Sequence, residues 1–272
     1  MTLRYGAVLQ SLRSLRGDPS IAQLPPTQPA IRYRAQPLRG ITPLADLYLP
    51  SRPTGASVVL VHGGGFVIGS RRMKPMRYLA SQLCASGIAV CAVDYRLIFR
   101  GGRLDESVAD VRDAVGFWCA RVPELGLDRD AISMVGLSAG ASIGLLAVAG
   151  AEAPPLASLV WCFGLYEVDH LRGMAGLLPR LLFRTSDRAV WRDRSPRFAT
   201  QAAAPTLLLH GSDDGLVPVE QARRLAADRE ALGLPTRLVV YPGAPHGFFN
   251  VPSAAAEAGV RAILDHVAGS RA

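Results

Sequence analysis

Lysine is almost absent from this chain. Lys74 is the only one, and every other basic side chain is arginine. The 272 residues carry 30 Lys+Arg against 22 Asp+Glu, for a formal net charge of +8. The arginines are scattered along the whole length, as a coding bias would leave them. No aromatic-plus-basic cluster concentrates them, so no nucleic-acid partner is expected. Cysteine is scarce too: Cys84, Cys91, Cys119 and Cys162 lie in apolar stretches, with no CxxC spacing and no histidine beside them. That excludes a disulfide framework and a thiolate metal site, and leaves buried free thiols as the expectation. No apolar run approaches the roughly 18 residues that span a bilayer. The longest, Leu156–Tyr166 and Ala141–Ala151, are short and interrupted. Met1–Ser20 holds Arg4, Arg13 and Arg16 and no apolar block ahead of a cleavage site, so no signal peptide and a cytoplasmic location are expected.

The chain does hold enough apolar material for a large core, with 49% hydrophobic and 19% charged residues. Disorder is excluded, and the length suits one α/β domain with a small insertion. Residues 1–30 read as an N-terminal helix and linker. Val8, Leu9, Leu12 and Leu15 have helical spacing, and Pro25, Pro26 and Pro29 give a stiff linker after it. From residue 31 onward short strands appear at Ile31–Arg34 and Leu44–Leu49, then the apolar run Val58–Val61. Helices are expected at Met73–Ala85, Asp105–Arg121, Ala139–Ala149, Glu220–Leu232 and Ala254–Ala268. Strands are expected at Ile88–Val93, Ala131–Val135, Ser158–Cys162, Thr206–Leu209 and Arg237–Tyr241. This alternation predicts a mainly parallel, doubly wound sheet with helices on both faces. Residues 167–203 break the rhythm and read as an inserted helical cap, with the N-terminal helix as a candidate contributor to a lid.

The chemistry concentrates at strand ends. Gly136-Leu137-Ser138-Ala139-Gly140 follows an apolar strand and opens a helix rich in small residues, the setting of a nucleophile elbow. Ser138 would project its hydroxyl where helix amides favour developing negative charge. His62-Gly63-Gly64-Gly65-Phe66 follows another apolar strand, and its glycines let backbone amides approach a ligand. The amides of Gly64, Gly65 and Ala139 are candidate oxyanion donors. A phosphate loop is disfavoured by the lack of a Gly-Lys-Ser/Thr ending and of a GxGxxG. A serine nucleophile needs a base and the base an orienting acid. Asp213 and Asp214 follow one late strand and His246 the next, in the order Ser, Asp, His. Residue chemistry alone does not choose between the two adjacent carboxylates. Among the other histidines, His62 would brace its loop, His210 would be structural, and His170 and His266 lie in the cap and the last helix.

Together with Val67-Ile68-Gly69-Ser70, Asp94-Tyr95-Arg96-Leu97, Val217-Pro218 and His246-Gly247-Phe248, these motifs resemble the α/β-hydrolase-fold serine esterases. The nearest resemblance is to the hormone-sensitive-lipase-like carboxylesterases and acetyl esterases, from about residue 45 to the C-terminus. The resemblance implies an α/β-hydrolase fold over residues 31–272 and hydrolysis of small-molecule esters of short to medium acyl chain. It implies Ser138, Asp214 and His246 as triad, since the family's HGxxDxxVP pattern falls on His210–Pro218. It also implies Gly64, Gly65 and Ala139 as oxyanion hole, with no metal or cofactor. The fold admits a homodimer. Leu137 and Ala141 stand where many members have Asp and Gly. Two alternatives share or drop the triad: an amidase, arylformamidase or peptidase, and a non-catalytic binding protein. Phe66, Leu182, Phe183 and Phe248 are the candidate pocket residues, with Leu177, Leu178, Leu181 and Trp191 beside them in the cap. Arg180, Arg184, Arg188 and Arg192, spaced by four, would share a helix face, as a solvated surface or as a site for an anionic substrate.

Overall fold

The computed structural model describes residues 6, 13–14, 24–34, 42–150, 153, 155–169 and 171–269. Its centre is a sheet of eight strands: β1 (Gln28–Arg32), β2 (Leu44–Tyr48), β3 (Ser57–Val61), β4 (Ala89–Val93), β5 (Ile132–Leu137), β6 (Ser158–Cys162), β7 (Thr206–Gly211) and β8 (Thr236–Tyr241). Their spatial order is β1-β2-β4-β3-β5-β6-β7-β8. The two pairings at the β1 edge are antiparallel and all the others parallel. Helices α1 (Lys74–Ala85) and α7 (Ala254–Gly269) cover one face. On the other lie α2 (Leu104–Arg121), α3 (Ala139–Ala147) and α6 (Glu220–Ala231).

Each central strand feeds two cores at once. In β3, Val59 and Val61 join the α2/α3 core, while Val58 and Leu60 join the α1/α7 core. A strand with both faces covered must be apolar throughout, which is why this one shows no alternation. β5 and β7 run two residues beyond their expected ends, because Gly136 pairs with Val61 and Gly211 with Tyr241. β1 starts earlier than expected and includes Pro29, so the proline is part of the sheet and not of a linker. As an edge strand it can accommodate a residue lacking an N–H, and its register slips between Gln28 and Ile31. Of the N-terminal segment, Gly6, Arg13 and Ser14 are helical, and Val8, Leu9, Leu12 and Leu15 lie outside the described residues. All four cysteines are free, and three of them are buried. No helix among the described residues is long and apolar enough to cross a membrane.

Between β6 and β7 the chain leaves the sheet to form a 3₁₀ turn at Gly173–Gly176, α4 (Leu177–Phe183), α5 (Arg188–Asp193) and a second turn at Pro196–Phe198. This excursion is tied to α2: Arg103 Nη1 donates to the Leu181 carbonyl at 2.5 Å, and Arg194 pairs with Asp105.

Candidate functional site

Parallel strands end on the same edge, so the loops after β3, β5, β7 and β8 converge. Ser138 follows β5 with φ 51°, a left-handed conformation that costs a non-glycine residue energy and turns the chain sharply into α3. The turn closes only because residue 140 lacks a side chain: a Cβ on Gly140 would collide with the carbonyl oxygens of Val61 and His62. Ser138 Oγ lies 3.0 Å from His246 Nε2, and His246 Nδ1 lies 2.7 Å from Asp214 Oδ2.

Asp214 is buried. Its Oδ1 accepts from the amides of Leu216 and Val217 at 2.9 and 2.7 Å. A second histidine reaches Oδ2: His210 Nε2 lies 3.1 Å from it and 2.9 Å from the Val217 carbonyl. Both neighbours are acceptors, so Nε2 carries the proton. Burial alone would raise the carboxyl's pKa. The hydrogen bonds from His210 and His246, and the charge these rings can carry, outweigh it and hold Asp214 well below the usual carboxylate range. Asp213, by contrast, is exposed and accepts from Ser212 Oγ at 3.0 Å.

The glycine loop after β3 lies beside the serine. Gly64 adopts φ 119°, and a Cβ there would collide with the Ile68 carbonyl, so no other residue fits. The loop folds back on itself, with the amides of Val67 and Ile68 donating to the Gly64 carbonyl at 3.2 and 3.1 Å. His62 braces it as expected. Its Nδ1 donates to the Gly63 carbonyl at 2.7 Å, and its ring stacks on Tyr95 at 4.1 Å. Burial pushes its pKa down and keeps the ring neutral. Arg71, buried between Asp46 and Asp94, anchors the far end of the loop. Gly64, Gly65 and Ala139 line the same cavity as Ser138. Ala139 is the first residue of α3, so its amide has no intrahelical acceptor.

That cavity has a volume of about 510 Å³. Its apolar wall includes Phe66, Val67, Met76, Phe163, Leu165 and Leu178. Of the four candidate pocket residues Phe66 lines it, and of their neighbours in the cap Leu178 does. Leu182 and Phe183 are buried in the α2/α3 core and hold the excursion down, with Arg194 stacked on Phe183 at 5.0 Å. Phe248 packs behind the wall, 5.3 Å from Phe163. Phe163 is the aromatic that reaches the site: it has φ 42°, lines the cavity, and meets the His246 ring edge-on at 5.1 Å. No local motif marks it, since it follows an ordinary buried strand. His210 reads from sequence as structural only, because its strand-end position does not reveal the carboxylate it faces. His170 lies outside the described residues. His266 Nε2 sits 3.2 Å from the Pro205 carbonyl, remote from the cavity lining. Asn250, on the cavity rim, donates to Ser14 Oγ at 2.9 Å and so brings the N-terminal segment to the site.

The arginine stripe does not form. Arg184 ends α4 in a left-handed conformation at φ 58°, so the four residues divide between two short helices. Arg188 donates to the Asp169 carbonyl at 2.8 Å and stacks on Trp191, and Arg192 stacks on Phe198. Asp187, close to these arginines in sequence, caps α5 by accepting from the Ala189 amide at 2.9 Å.

Comparison with known proteins finds the following likenesses. A model described as BD-FAE matches residues 45–158, and that of the dienelactone hydrolase family matches residues 129–267. Esterase LipC of Mycobacterium tuberculosis is 31% identical over 267 residues, covering 85% of this chain and 64% of LipC. An isoprenylcysteine alpha-carbonyl methylesterase of Arabidopsis thaliana is 29% identical, covering 74% of this chain and 53% of the relative. The chain thus spans about half to two thirds of these relatives' length. Among solved structures, the propionate-bound esterase 2 of Thermogutta terrifontis superposes with TM-score 0.73 at 23% identity, covering 92% of this chain and 96% of that one. Esterase B of Lactobacillus rhamnosis, with a tributyrin phosphonate, gives 0.77 at 19% identity, covering 97% and 93%. The chain belongs to the dienelactone hydrolase family and has the α/β-hydrolase fold.

Proposed function

We propose that this chain hydrolyses carboxylic esters of short to medium acyl chain, with Ser138 as nucleophile, His246 as base and Asp214 as the group that orients it. The observation that carries the reading is the continuous run Ser138 Oγ–His246 Nε2–Nδ1–Asp214 Oδ2, at 3.0 and 2.7 Å, opening on an apolar cavity. In the reaction, Ser138 Oγ attacks the ester carbonyl carbon as His246 Nε2 takes its proton. The carbonyl electrons move to oxygen, which the amides of Gly64, Gly65 and Ala139 receive. The tetrahedral species collapses, the C–O bond to the alcohol breaks, and His246 returns the proton to the departing oxygen. Water, activated by the same histidine, then releases the acid and restores Ser138. Asp214 stays ionised throughout, held by two backbone amides and two imidazoles.

The test is hydrolysis of p-nitrophenyl esters from acetate to laurate, with Ser138→Ala alongside. The expected outcome is turnover that falls off at long acyl chains and a loss on the order of 10⁶-fold in kcat for the variant. Folded protein that cleaves none of these esters, or a variant that keeps the activity, overturns the reading.

A further inference from the structure

Phe163 holds a backbone conformation that a phenylalanine rarely adopts. It is the first residue after β6, and its φ of 42° places it in the left-handed region, where a bulky side chain is strained. Hydrogen bonds on both sides keep it there. The carbonyl of Cys162 accepts from the Ser138 amide at 2.8 Å, and the Phe163 amide donates to the Leu209 carbonyl at 2.7 Å. The end of β6 is thereby fastened both to the turn that carries Ser138 and to β7. Such strain persists only where the surroundings over-determine it, and it gathers where the placement of a side chain matters for function. Here the ring it places is buried in the cavity wall and meets His246 edge-on at 5.1 Å. Among the described residues it is the one ring in contact with that of His246. Phe248 and Phe249 pack against it in turn, at 5.3 and 6.1 Å.

His246 is otherwise tethered by two hydrogen-bond contacts, and acylation removes one of them. While Ser138 is free, its Oγ lies 3.0 Å from Nε2. Once Oγ is esterified it has no proton to donate, and the contact of Nδ1 with Asp214 Oδ2 at 2.7 Å is left. A single hydrogen bond fixes one point of the ring and lets the rest swing about it. Deacylation nevertheless needs the ring in place. Nε2 must take a proton from a water whose oxygen attacks the acyl carbonyl carbon, then return it to Ser138 Oγ as the C–O bond to the serine breaks. We propose that Phe163 is a positioning residue for this second half-reaction, its ring holding the imidazole through the acyl-enzyme stage, when the serine no longer does. The inference rests on the ester-hydrolase reading and adds to it a residue outside the triad and the glycine loop.

The experiment follows p-nitrophenyl butyrate by stopped flow in wild type, Phe163→Leu, Phe163→Tyr and Phe248→Leu. With enzyme in excess, release of p-nitrophenol reads acylation. With ester in excess, the steady rate and the fraction of acyl-enzyme trapped by acid and weighed by mass spectrometry together read deacylation. In Phe163→Leu, deacylation is expected to slow by about tenfold and acylation by less than about threefold, the first being near the upper end of what one aromatic contact contributes. Acyl-enzyme should accumulate in that variant. Phe163→Tyr keeps the ring and should deacylate within about threefold of wild type. Phe248→Leu removes a ring that packs on Phe163 and does not meet His246, so it should change the two steps alike. Both rates come from molecules that react, so a fraction of unfolded protein lowers the amplitudes and leaves the rates as they are. Equal slowing of both steps in Phe163→Leu, no slowing of either, or the same split in Phe248→Leu overturns the proposal. A folded wild type that forms no acyl-enzyme on Ser138 and cleaves no ester overturns the hydrolase reading itself, and this proposal with it.

Discussion

Asp214 accepts four hydrogen bonds, and the one from His210 is the most informative. His210 is fully buried, and its Nε2–H is shared between Asp214 and the Val217 carbonyl. It fixes the carboxylate relative to the loop that carries it, which under the proposed mechanism makes His210 a positioning residue for His246. Replacing it with phenylalanine keeps the volume but leaves a buried carboxylate and a buried carbonyl each one donor short. The expected outcome is a fall in kcat of about tenfold to a hundredfold with KM little changed. His210→Gln, whose amide can reach the Nε2 position, should recover part of that loss. Steady-state kinetics on one p-nitrophenyl ester checks both; equal losses in the two variants would point to a merely structural role.

At the scale of elements, the segment between β6 and β7 explains why a helical repeat in sequence did not become a helical face. Arg180, Arg184, Arg188 and Arg192 keep four-residue spacing, but Arg184 leaves the right-handed region, Asp187 caps a new helix, and the direction changes. Periodicity predicts a face only while the helix continues. Arg188 and Arg192 are then occupied with carbonyls and rings of the same segment, and Arg184 is left exposed at the bend. Arg184→Ala is therefore expected to leave the ratio of rates on carboxylated and neutral esters within about twofold of wild type, less than one charged hydrogen bond would change it. Rates on mono-p-nitrophenyl glutarate and p-nitrophenyl pentanoate measure it. The apolar residues of this segment divide in the same way: Leu178 reaches the cavity, while Leu182 and Phe183, a turn later, face the core under it.

The whole molecule couples acid stability to the same groups that build the site. Asp214 and Asp46 are both depressed below ordinary carboxylates. In each, burial pushes the pKa up and hydrogen bonds outweigh it, from the two histidines at Asp214 and from the Ala30 amide and Arg71 at Asp46. His62 is depressed because it is buried as a neutral ring. For all three, the unfolded chain binds protons at a higher pH than the folded one, so acidification favours unfolding. The His62 contribution is present above the unfolded histidine value of about 6.5, and the two carboxylates' above about 3.9; each is lost as pH falls toward the folded value. Thermal melts are expected to show a midpoint that drops first between about pH 7 and pH 5, and again below about pH 4. A midpoint flat across the first interval would contradict a buried neutral His62.

Much of this molecule is legible in one dimension because it is local. The alternation of apolar runs with amphipathic stretches predicts the parallel sheet and nearly every element, since each central strand must be apolar on both faces and each helix on one. The Gly136–Gly140 elbow and the His62–Phe66 loop are legible because steric demand at a turn leaves few residues to choose from. The choice between Asp213 and Asp214 stays open in residue chemistry and closes only by resemblance to a family. In space it depends on which carboxylate turns inward toward His246 from a neighbouring strand. Phe163 in the cavity wall, His210 on Asp214 and the removal of Phe248 to the core were all decided by tertiary structure. Phe163 and Phe248 depend on which residues meet across many tens of positions along the chain, and His210 meets a carboxylate only four residues on because the turn after β7 folds back on itself.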